Sequence, residues 1–548
     1  MFIGKYTKFL PYWKYYHNNK ITYREFFDNR VKKELKKKID KILDKKNFKS
    51  LKSDFNSDYL EMFLSYYLLK ETYVKSSDNY IKKKLLIKKN FFDFKEKFNY
   101  LNLFFFKIKL IIKTIIKLIS LSLKNSTKNK NKKNYDFLVQ FFHGGLNDKI
   151  DFPDQLYFKS KNRKTLTLFD RDFPNRFSQA STQKKIKKDF ICIKKLKSKQ
   201  NSNIFKINEF SSKSKKSIKK MLINFPRYPY LSSIFIEYIF VYELYYQILK
   251  SYKIKVFVHG KTMDNEIAPI REALDKLNIL NINYSRSYLP STYNDFLSQP
   301  DELVFFWGKQ MENIFDKRQN KIKYLIESHP YFASSNKKKT LIKIKKNYKV
   351  VSIFDSSFDI DTAFNPQVYN DFMNFALKYI SENKNLYLII KNKWQSTGAK
   401  IKDNIYLKNL IKQKRVRIFH KSYSNNFNIF NISDLVVSFA SLSVGSEALY
   451  YKKDSLNIVA NSYRNNLLNS FNKIYPFAYK DLDKSKKIFL EKIKRKNVNK
   501  KKLVKLNKFF FKENCKDQSK KFLNSYLKYY SPKINKQTII KKIINEIN

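Results

Sequence analysis

The sequence predicts an α/β protein in which a basic helical extension precedes two Rossmann-like domains. Two runs of the chain alternate strand-like apolar segments with helical patterns, an order typical of βαβ units and a largely parallel sheet. A polar, basic break at residues 334–347 separates the two runs. We therefore expect two domains that face each other across a cleft, with ligand-binding residues directly after the strands.

Glycine is scarce in this chain, with 7 in 548 residues, whereas average usage would give roughly 38. The abundance of Lys, Asn, Ile, Phe and Tyr indicates a compositional bias, so the remaining glycines are expected where the backbone needs them. Short apolar runs precede Gly144, Gly260, Gly308 and Gly445. A glycine in that position indicates the end of a buried strand.

Four regions follow from these patterns: a helical basic extension (1–130), a first Rossmann-like domain (135–335), a second Rossmann-like domain (345–480) and a Lys-rich helical tail (481–548). The first Rossmann-like domain contains the strand candidates YDFLVQFF, DFICIKK, NIFKI, KVFVHG, ILNINYS and ELVFFWG, and the long apolar helix candidate LSSIFIEYIFVYELYYQILKSY. The second domain contains the strand candidates YKVVSIF, LYLIIK, RVRIFH, DLVVSFAS and SLNIVA. Its helices are predicted to begin near Pro366, Asn404 and Ser443.

The formal net charge of +66 is extreme, with 113 Lys and Arg against 47 Asp and Glu. Two interpretations compete: nucleic-acid binding through phosphate contacts, or a lysine-biased composition with affinity for anionic membranes. Lysine greatly outnumbers arginine and is spread along the chain, whereas proteins that read base edges depend on arginine. We expect an anionic membrane surface as a partner and no specific nucleic acid.

Cysteine and histidine show no metal-binding pattern. The 2 cysteines lie far apart and the 5 histidines have no HExxH-type spacing, so we expect neither a disulfide framework nor a bound metal. The first residues lack the apolar core and cleavage site of a signal peptide. We expect a cytoplasmic protein, either free or peripheral on the inner face of the plasma membrane.

The stretch LNLFFFKIKLIIKTIIKLISLSLK, residues 101–124, is apolar but interrupted by lysines. Lys109, Lys113 and Lys117 follow i, i+4, i+8 spacing, which places them on one stripe of a helix opposite Phe, Ile and Leu. Such a helix either packs on its own domain or lies in a membrane interface, and the lysines disfavour a membrane span.

The segment SFASLSVGSEALYY, residues 438–451, combines a strand end, a small polar loop and the start of a helix. Ser441, Ser443 and Ser446 are small hydrogen-bond donors, and Gly445 permits close backbone approach. The amides and the dipole at a helix N-terminus favour an anion such as a diphosphate. In the alternative interpretation Ser443 caps the helix and Glu447 interacts with its dipole.

The segment DLVVSFASLSVGSEALYYKKDSLNIVA resembles the donor site of GT-B fold glycosyltransferases of bacterial surface-polysaccharide synthesis. Two other segments resemble that family: VVSIFDSSFD (350–359) and LIIKNK (388–393). APIREALDKLNILNINYSRSY resembles its accessory helix and following strand. The residues that carry the resemblance at the donor site are Asp434, Ser441, Ser443, Gly445, Ser446, Glu447, Ala448 and Leu449.

The resemblance implies a nucleotide-sugar donor whose phosphates lie against residues 443–447, with Glu447 on the nucleotide ribose. Lys391 and Lys393 are phosphate-binding candidates, and Asp355 either binds ligand or ends its strand. The family needs no metal or other cofactor, because helix dipoles and basic side chains stabilise the leaving diphosphate. The implied acceptor is lipid-linked or a saccharide, a precursor of cell-surface polysaccharide or lipopolysaccharide.

Transfer to a hydroxyl acceptor with inversion requires a general base. We expect this base on the first Rossmann-like domain, which the resemblance implies to be the acceptor domain. His143 and His259 follow strand candidates, and Asp264 follows shortly after His259. In the alternative interpretation the histidines cap local turns and Asp264 caps the next helix.

Other functions are compatible with the same pattern. A CDP-polyol phosphotransferase of the same fold and a nucleotide-sugar epimerase share the two Rossmann halves, and a basic nucleic-acid-binding protein is the non-enzymatic alternative.

Overall fold

The computed structural model describes a defined set of segments, to which every statement below refers. These are residues 32–65, 67–68, 71–72, 93–122, 134–141, 164–169, 190–192, 210–259, 266–284, 302–306, 324–327, 344, 347–355, 366–392, 404–419, 426–440, 442–459, 465–495, 497–511 and 518–547.

The first sheet has seven strands, all parallel, in the order β3-β2-β1-β4-β5-β6-β7. The strands are β1 (Phe137–Phe141), β2 (Thr165–Phe169), β3 (Phe190–Cys192), β4 (Val256–His259), β5 (Leu280–Tyr284), β6 (Leu303–Phe306) and β7 (Tyr324–Glu327). The order reverses between β1 and β4, which is the switch point of a doubly wound sheet.

The second sheet has six parallel strands in the order β10-β9-β8-β11-β12-β13. They are β8 (Lys349–Phe354), β9 (Leu386–Lys391), β10 (Val416–Phe419), β11 (Leu435–Ala440), β12 (Asp454–Val459) and β13 (Ala478–Tyr479). Here the switch point lies between β8 and β11. The predicted α/β class with two Rossmann-like sheets is confirmed.

Fifteen helices have bounds within the described segments. They are α1 (Lys32–Leu43), α2 (Lys46–Asp54), α3 (Asp93–Ser122), α4 (Ser212–Asn224), α5 (Pro229–Ser251), α6 (Ile267–Lys276), α7 (Pro366–Glu382), α8 (Ile405–Lys412), α9 (Asn426–Ile432), α10 (Ser443–Tyr450), α11 (Asn465–Ile474), α12 (Leu482–Lys494), α13 (Lys500–Phe510), α14 (Gln518–Tyr529) and α15 (Lys536–Ile547).

Most of the predicted elements are present, while three strands were not predicted. The segments TLTLF of β2, YLIE of β7 and the two-residue β13 are too short to stand out in a sequence with so many apolar residues. The candidate NIFKI lies outside the described residues.

The two faces of the first sheet are covered by different parts of the chain. One face packs with α5 and α6, through residues such as Leu138 and Phe257. The other face, including Val139, Val258 and Phe305, packs against α14 and α15 at the C-terminal end of the chain. The last two helices therefore complete the core of the N-terminal half.

A buried cluster of charges lies where α15 meets α6. The Arg271 guanidinium is 2.9 Å from Glu302 and 3.2 Å from Asp275, and the Lys536 ammonium is 2.6 Å from Asp275 and 3.3 Å from Glu302. Tyr59 of the N-terminal extension donates to Asp275 at 2.5 Å. The cluster joins three distant parts of the sequence, and removing one charge would leave its partners buried and unpaired.

The second sheet has helices on both faces, and α12 is joined to it by polar contacts. The Lys349 ammonium donates to the carbonyls of Ile493 and Arg495, each at 2.7 Å, near the end of α12. Lys492 pairs with Asp454 of β12 and lies 4.1 Å from the centre of the Tyr475 ring. Burial lowers the pKa of Lys492 to about 8.

The N-terminal extension packs on the long apolar helix α5. Helix α3 was predicted either to pack on its own domain or to lie in a membrane interface, with three lysines opposite its apolar side. In the structure, Lys113 and Lys117 instead turn toward the protein and pair with Glu237 of α5 at 3.2 and 2.8 Å. Among the described helices, none meets the length and apolarity that a membrane crossing requires.

Four helices end in the same hydrogen-bonded turn, each with a non-glycine residue in the left-handed region. These residues are Lys253, Asn278, Lys414 and Lys452, with φ of 46°, 55°, 55° and 59°. After α8, Lys414 N–H donates to Ile411 and Arg415 N–H donates to Leu410, the two bonds of a Schellman turn. Glycine is the usual residue at this position, so the compositional bias has placed lysine and asparagine where the backbone is strained.

Replacing Lys414 with glycine is expected to stabilise the protein by up to about 1 kcal/mol, because the strain of the left-handed residue exceeds the added entropy of the unfolded chain. Urea denaturation followed by circular dichroism measures the change in midpoint. Lys408→Gly, at an exposed position inside α8, is the matched control and is expected to destabilise by about 1 kcal/mol. A loss of stability in Lys414→Gly would contradict this explanation.

Glu272 of α6 joins the N-terminal extension to α5. Its carboxylate accepts hydrogen bonds from the Tyr238 hydroxyl and, at 3.0 Å, from the Asn56 amide that precedes the helical residues 57–65. Burial raises the pKa of Glu272 to about 7 from 4.5, against the opposing effect of these hydrogen bonds. A carboxyl with a raised folded-state pKa contributes stability below its unfolded pKa, which is lost as the pH rises through the folded value.

We expect the stability of the wild-type chain to contain a contribution from Glu272 that falls between pH 4.5 and 7, by up to about 3 kcal/mol. Glu272→Gln removes this titration, so the difference in Tm between variant and wild type should change across that pH range. Thermal denaturation at several pH values measures it. Glu382→Gln, which removes a carboxyl at an exposed position, is the control, and a pH dependence of Glu272→Gln no larger than that of the control would refute the assignment.

Candidate functional site

The candidate site lies at the carboxyl edge of the second sheet, around its switch point. Strands β9, β8 and β11 are neighbours and parallel, so their carboxyl ends, at Lys391, Phe354 and Ala440, lie at one edge of the sheet. Ligands of doubly wound sheets bind at this edge, where the strand order reverses.

The turn from β11 into α10 is strained. Ala440, the last residue of β11, is buried and has φ of 67°, in the left-handed region that residues with a Cβ rarely adopt. Strained backbone of this kind occurs at ligand sites, where the surrounding packing holds it in place. Because Ala440 enters the left-handed region, the chain turns sharply from the strand into the start of α10.

Helix α10 begins at Ser443, the position at which the sequence predicts an anion site. Its N-cap residue is Leu442, whose side chain has no oxygen to accept hydrogen bonds from the first amides. The Ser446 amide donates to the Leu442 carbonyl at 2.8 Å, a bond that closes the first turn of the helix. The amides before it, with the positive end of the helix dipole, are groups that bind an anion.

Gly445 has a packing role inside α10. A Cβ at this position would lie 1.8 Å from Oδ1 of Asn457, so a hydrogen is the largest substituent that fits. The Asn457 side chain is held from both sides, since it accepts from the Ser438 hydroxyl at 2.5 Å and donates to the Phe477 carbonyl at 3.1 Å. The glycine thus lets α10 pack closely against β12.

A row of hydrogen bonds connects β9, α9 and α10 beside this helix start. The Lys391 ammonium donates to Oδ1 of Asn426 at 2.5 Å, and Nδ2 of Asn426 donates to the Glu447 carboxylate at 2.8 Å. Glu447 is buried, with 6% of its surface exposed, whereas Lys391 is half-buried. The row holds a cation and a carboxylate in fixed positions near the carboxyl ends of the strands.

Other buried polar groups lie at the same edge. Asp355 directly follows β8, and its amide donates to the Lys391 carbonyl at 3.0 Å. Burial, and then the nearby Asp355 charge, raise the pKa of Tyr369 well above its ordinary value. The side-chain oxygens of Asn392 and Ser446 are buried and have no hydrogen-bond partner among the residues that the structure describes.

In the first sheet, His259 lies where the sequence predicts it, at the end of β4 and beside the β1/β4 switch point. It is 1% exposed, its ring is 5.5 Å from that of Phe257, and it pairs in register with Asn283 of β5. Asn283 is also buried. Neighbours in register point to the same face of a sheet, so a histidine and an amide lie side by side at this strand end.

The structure therefore describes part of the predicted site. It brings Lys391, Glu447, Ser443, Gly445 and Ser446 to one region and places Asp355 at the adjacent strand end. Four other predicted site residues, His143, Asp264, Ser441 and Lys393, lie outside the described residues.

Asn426 and Asn392 were not predicted from the sequence. Asparagine is abundant throughout the chain, so its presence alone carries no signal. For Asn392 there was a usable signal, because it directly follows the strand candidate LYLIIK at the edge where ligands bind.

Comparisons with known proteins show remote likeness in structure alone. No family model matches the chain, and no curated protein matches its sequence. The complex of MnaA from S. aureus with UDP is similar over 72% of this chain and 97% of its own, at 11% identity and a TM-score of 0.44. A putative UDP-N-acetylglucosamine 2-epimerase from Listeria monocytogenes is similar over 72% and 97%, at 8% identity and a TM-score of 0.46. MurG from Acinetobacter baumannii is similar over 75% and 99%, at 10% identity and a TM-score of 0.38.

Gly445→Ala is expected to destabilise the protein by about 1–3 kcal/mol, because the added methyl group meets the Asn457 side chain. The penalty should be smaller when Asn457 is also replaced by alanine, since the blocking amide is then gone. Urea denaturation of the wild type, both single variants and the double variant gives the coupling energy. Equal penalties in the two backgrounds would show that Asn457 is not the obstacle.

Proposed function

We propose that this chain is a glycosyltransferase that takes its sugar from a nucleotide-activated donor. The observation that carries the proposal is the hydrogen-bonded row Lys391–Asn426–Glu447 beside the start of α10, at the switch point of a parallel sheet. A cation and helix amides suit a diphosphate, and a fixed carboxylate suits the hydroxyls of a ribose. Two residues of this row, Lys391 and Glu447, lie in segments that resemble GT-B donor sites in sequence.

In this proposal the amides at the start of α10 bind the donor diphosphate together with the hydroxyls of Ser441, Ser443 and Ser446. Lys391 adds a positive charge, with Lys393 as a second candidate. When the bond between the sugar and the diphosphate breaks, the electron pair goes to a phosphate oxygen, and these groups stabilise the negative charge that develops there. No metal ion or other cofactor is required in this scheme.

The other half of the reaction takes place on the acceptor. A hydroxyl oxygen of the acceptor forms the new bond to the anomeric carbon and loses its proton to a base. His259 is the described candidate, because it ends β4 at the switch point of the first sheet. His143 and Asp264 remain candidates for the same role. Asp355 is a candidate for contact with the donor sugar, since it follows β8.

The acceptor in this proposal is lipid-linked or a saccharide, in the synthesis of cell-surface polysaccharide or lipopolysaccharide. The net charge of +66 supports a position at the cytoplasmic face of an anionic membrane, because the attraction of basic protein surfaces to anionic lipid is cumulative.

A nucleoside diphosphate is expected to raise the Tm of the protein, since a ligand that binds the folded state stabilises it. UDP, GDP, CDP and TDP should be compared, and affinity for the preferred one measured by calorimetry. Lys391→Met should weaken its binding by roughly 10- to 100-fold, the effect of removing one charged hydrogen bond. Lys412→Met, at an exposed position of α8, should have no effect.

Glu447→Gln should weaken binding of the same nucleotide by about 10-fold but leave binding of its 2′,3′-dideoxy analogue unchanged. The pair of ligands thus separates contact with the ribose from a general disturbance of the site. The donor site has been assigned wrongly if none of the four diphosphates raises the Tm. It has also been assigned wrongly if Glu447→Gln weakens binding of the nucleotide and of its dideoxy analogue equally.

A further inference from the structure

Helix α3 packs on the protein through a side that mixes apolar residues with lysines, and it carries a second apolar side outward. Toward α5 it buries Leu103, Leu110 and Thr114, and Phe106 and Leu118 are partly buried against the same core. The same side carries Lys107 and Lys117, whose ammonium groups lie over the rings of Tyr230 and Phe240 at 5.2 and 4.5 Å. An ordinary surface helix turns its polar side to water, whereas the outward side of α3 is apolar.

The inward lysines are held by buried carboxylates. Glu237 of α5, whose side chain is 5% exposed, receives both Lys113 at 3.2 Å and Lys117 at 2.8 Å. Lys107 reaches Glu71 of the N-terminal extension at 2.9 Å. Because a buried carboxylate without its cations is costly, these pairs fix the rotation of α3 about its own axis.

The outward side of α3 is a ridge of large apolar side chains. With 3.6 residues per turn, its members fall within an arc of about 120° and along a length of about 22 Å. Half of the large hydrophobic side chains that the structure describes as exposed lie on this one helix. They are Phe104, Phe105, Ile112, Ile115, Ile116 and Ile119, which are between 40% and 61% exposed.

We propose that this apolar ridge binds an anionic lipid bilayer, with α3 lying in the plane of the interface. Lys109 and Lys113 are exposed and border the ridge on one side. From there their ammonium groups can reach lipid phosphates while the isoleucines enter the acyl region. The net charge of the chain indicates that the bound surface is anionic, because a protein with a charge of +66 is attracted to negative lipid headgroups. A second copy of the chain would carry the same charge and repel the first.

The apolar ridge is the surface that would hold the protein at the membrane in the proposed function. Only the choice of a membrane as the partner rests on that function. Vesicle binding is therefore measured without nucleotide, and nucleotide binding is measured without vesicles on the same variants. Failure of one assay then leaves the other interpretable.

The test is cosedimentation of the full chain with two kinds of vesicle. One contains phosphatidylcholine alone, and the other also contains about 30% phosphatidylglycerol, an anionic lipid. Wild type is expected to bind the anionic vesicles. Ile112→Ser with Ile116→Ser should reduce its partition by at least tenfold, because two apolar side chains no longer enter the bilayer. The control is Ile405→Ser with Ile411→Ser, which removes two exposed isoleucines from α8 and should change partition less than twofold.

Several results would overturn the proposal. Binding that depends on phosphatidylglycerol but is equal in the two double variants would show that the lysines alone are responsible. Absence of binding by wild type would show that the ridge has another occupant. A dimer in light scattering that the Ile112→Ser, Ile116→Ser variant converts to monomers would show that a second copy covers the ridge. An unchanged Tm of each variant checks that it is folded.

Discussion

A parallel sheet has to be buried on both faces, and the rest of this structure follows from how the chain meets that constraint. One face of the first sheet is covered from outside its own half, because α14 and α15 return from the C-terminal end to pack on Val139, Val258 and Phe305. The charge cluster around Arg271 and Glu302 then joins α15 to α6. The Lys-rich tail is in this way part of the core of the first sheet.

Local pattern was enough to predict the fold, because continuous apolar runs such as LYLIIK and DLVVSFAS are what strands buried on both faces require. It did not predict β2 or β7, whose short segments are not distinct in so apolar a composition. The return of α14 and α15 was also missed, since packing between residues about 250 positions apart leaves no local pattern. Within the candidate site, Glu447 could be named from the sequence because a motif marks it, whereas Asn426 could not, because it joins Lys391 and Glu447 through its position in space.

The start of α10 shows how structural and functional requirements share the same residues. Gly445 makes room for Asn457, and Asn457 is held by Ser438 of β11. These contacts bring α10 close to the two central strands and leave its first amides at the carboxyl edge of the sheet. The glycine would thus act on the proposed anion site indirectly, by setting the distance between helix and sheet. Direct approach of a phosphate to its backbone is not needed to explain why glycine is present.

Not every lysine of this chain is simply a surface charge, and helix α3 shows why. Two of its lysines neutralise Glu237 beneath the helix, and a third borders the apolar side. The side of α3 that faces α5 contains leucines as well as Lys117, while its isoleucines stay outside. Placing a lysine on that side requires the carboxylate of Glu237, which itself would be destabilising without its cations. The lysines of α3 and the carboxylate of Glu237 therefore depend on each other. Together they fix the orientation of the exposed apolar ridge relative to the first sheet. Stability of the isolated chain gives no reason for such a ridge, whereas the proposed contact with a lipid surface does.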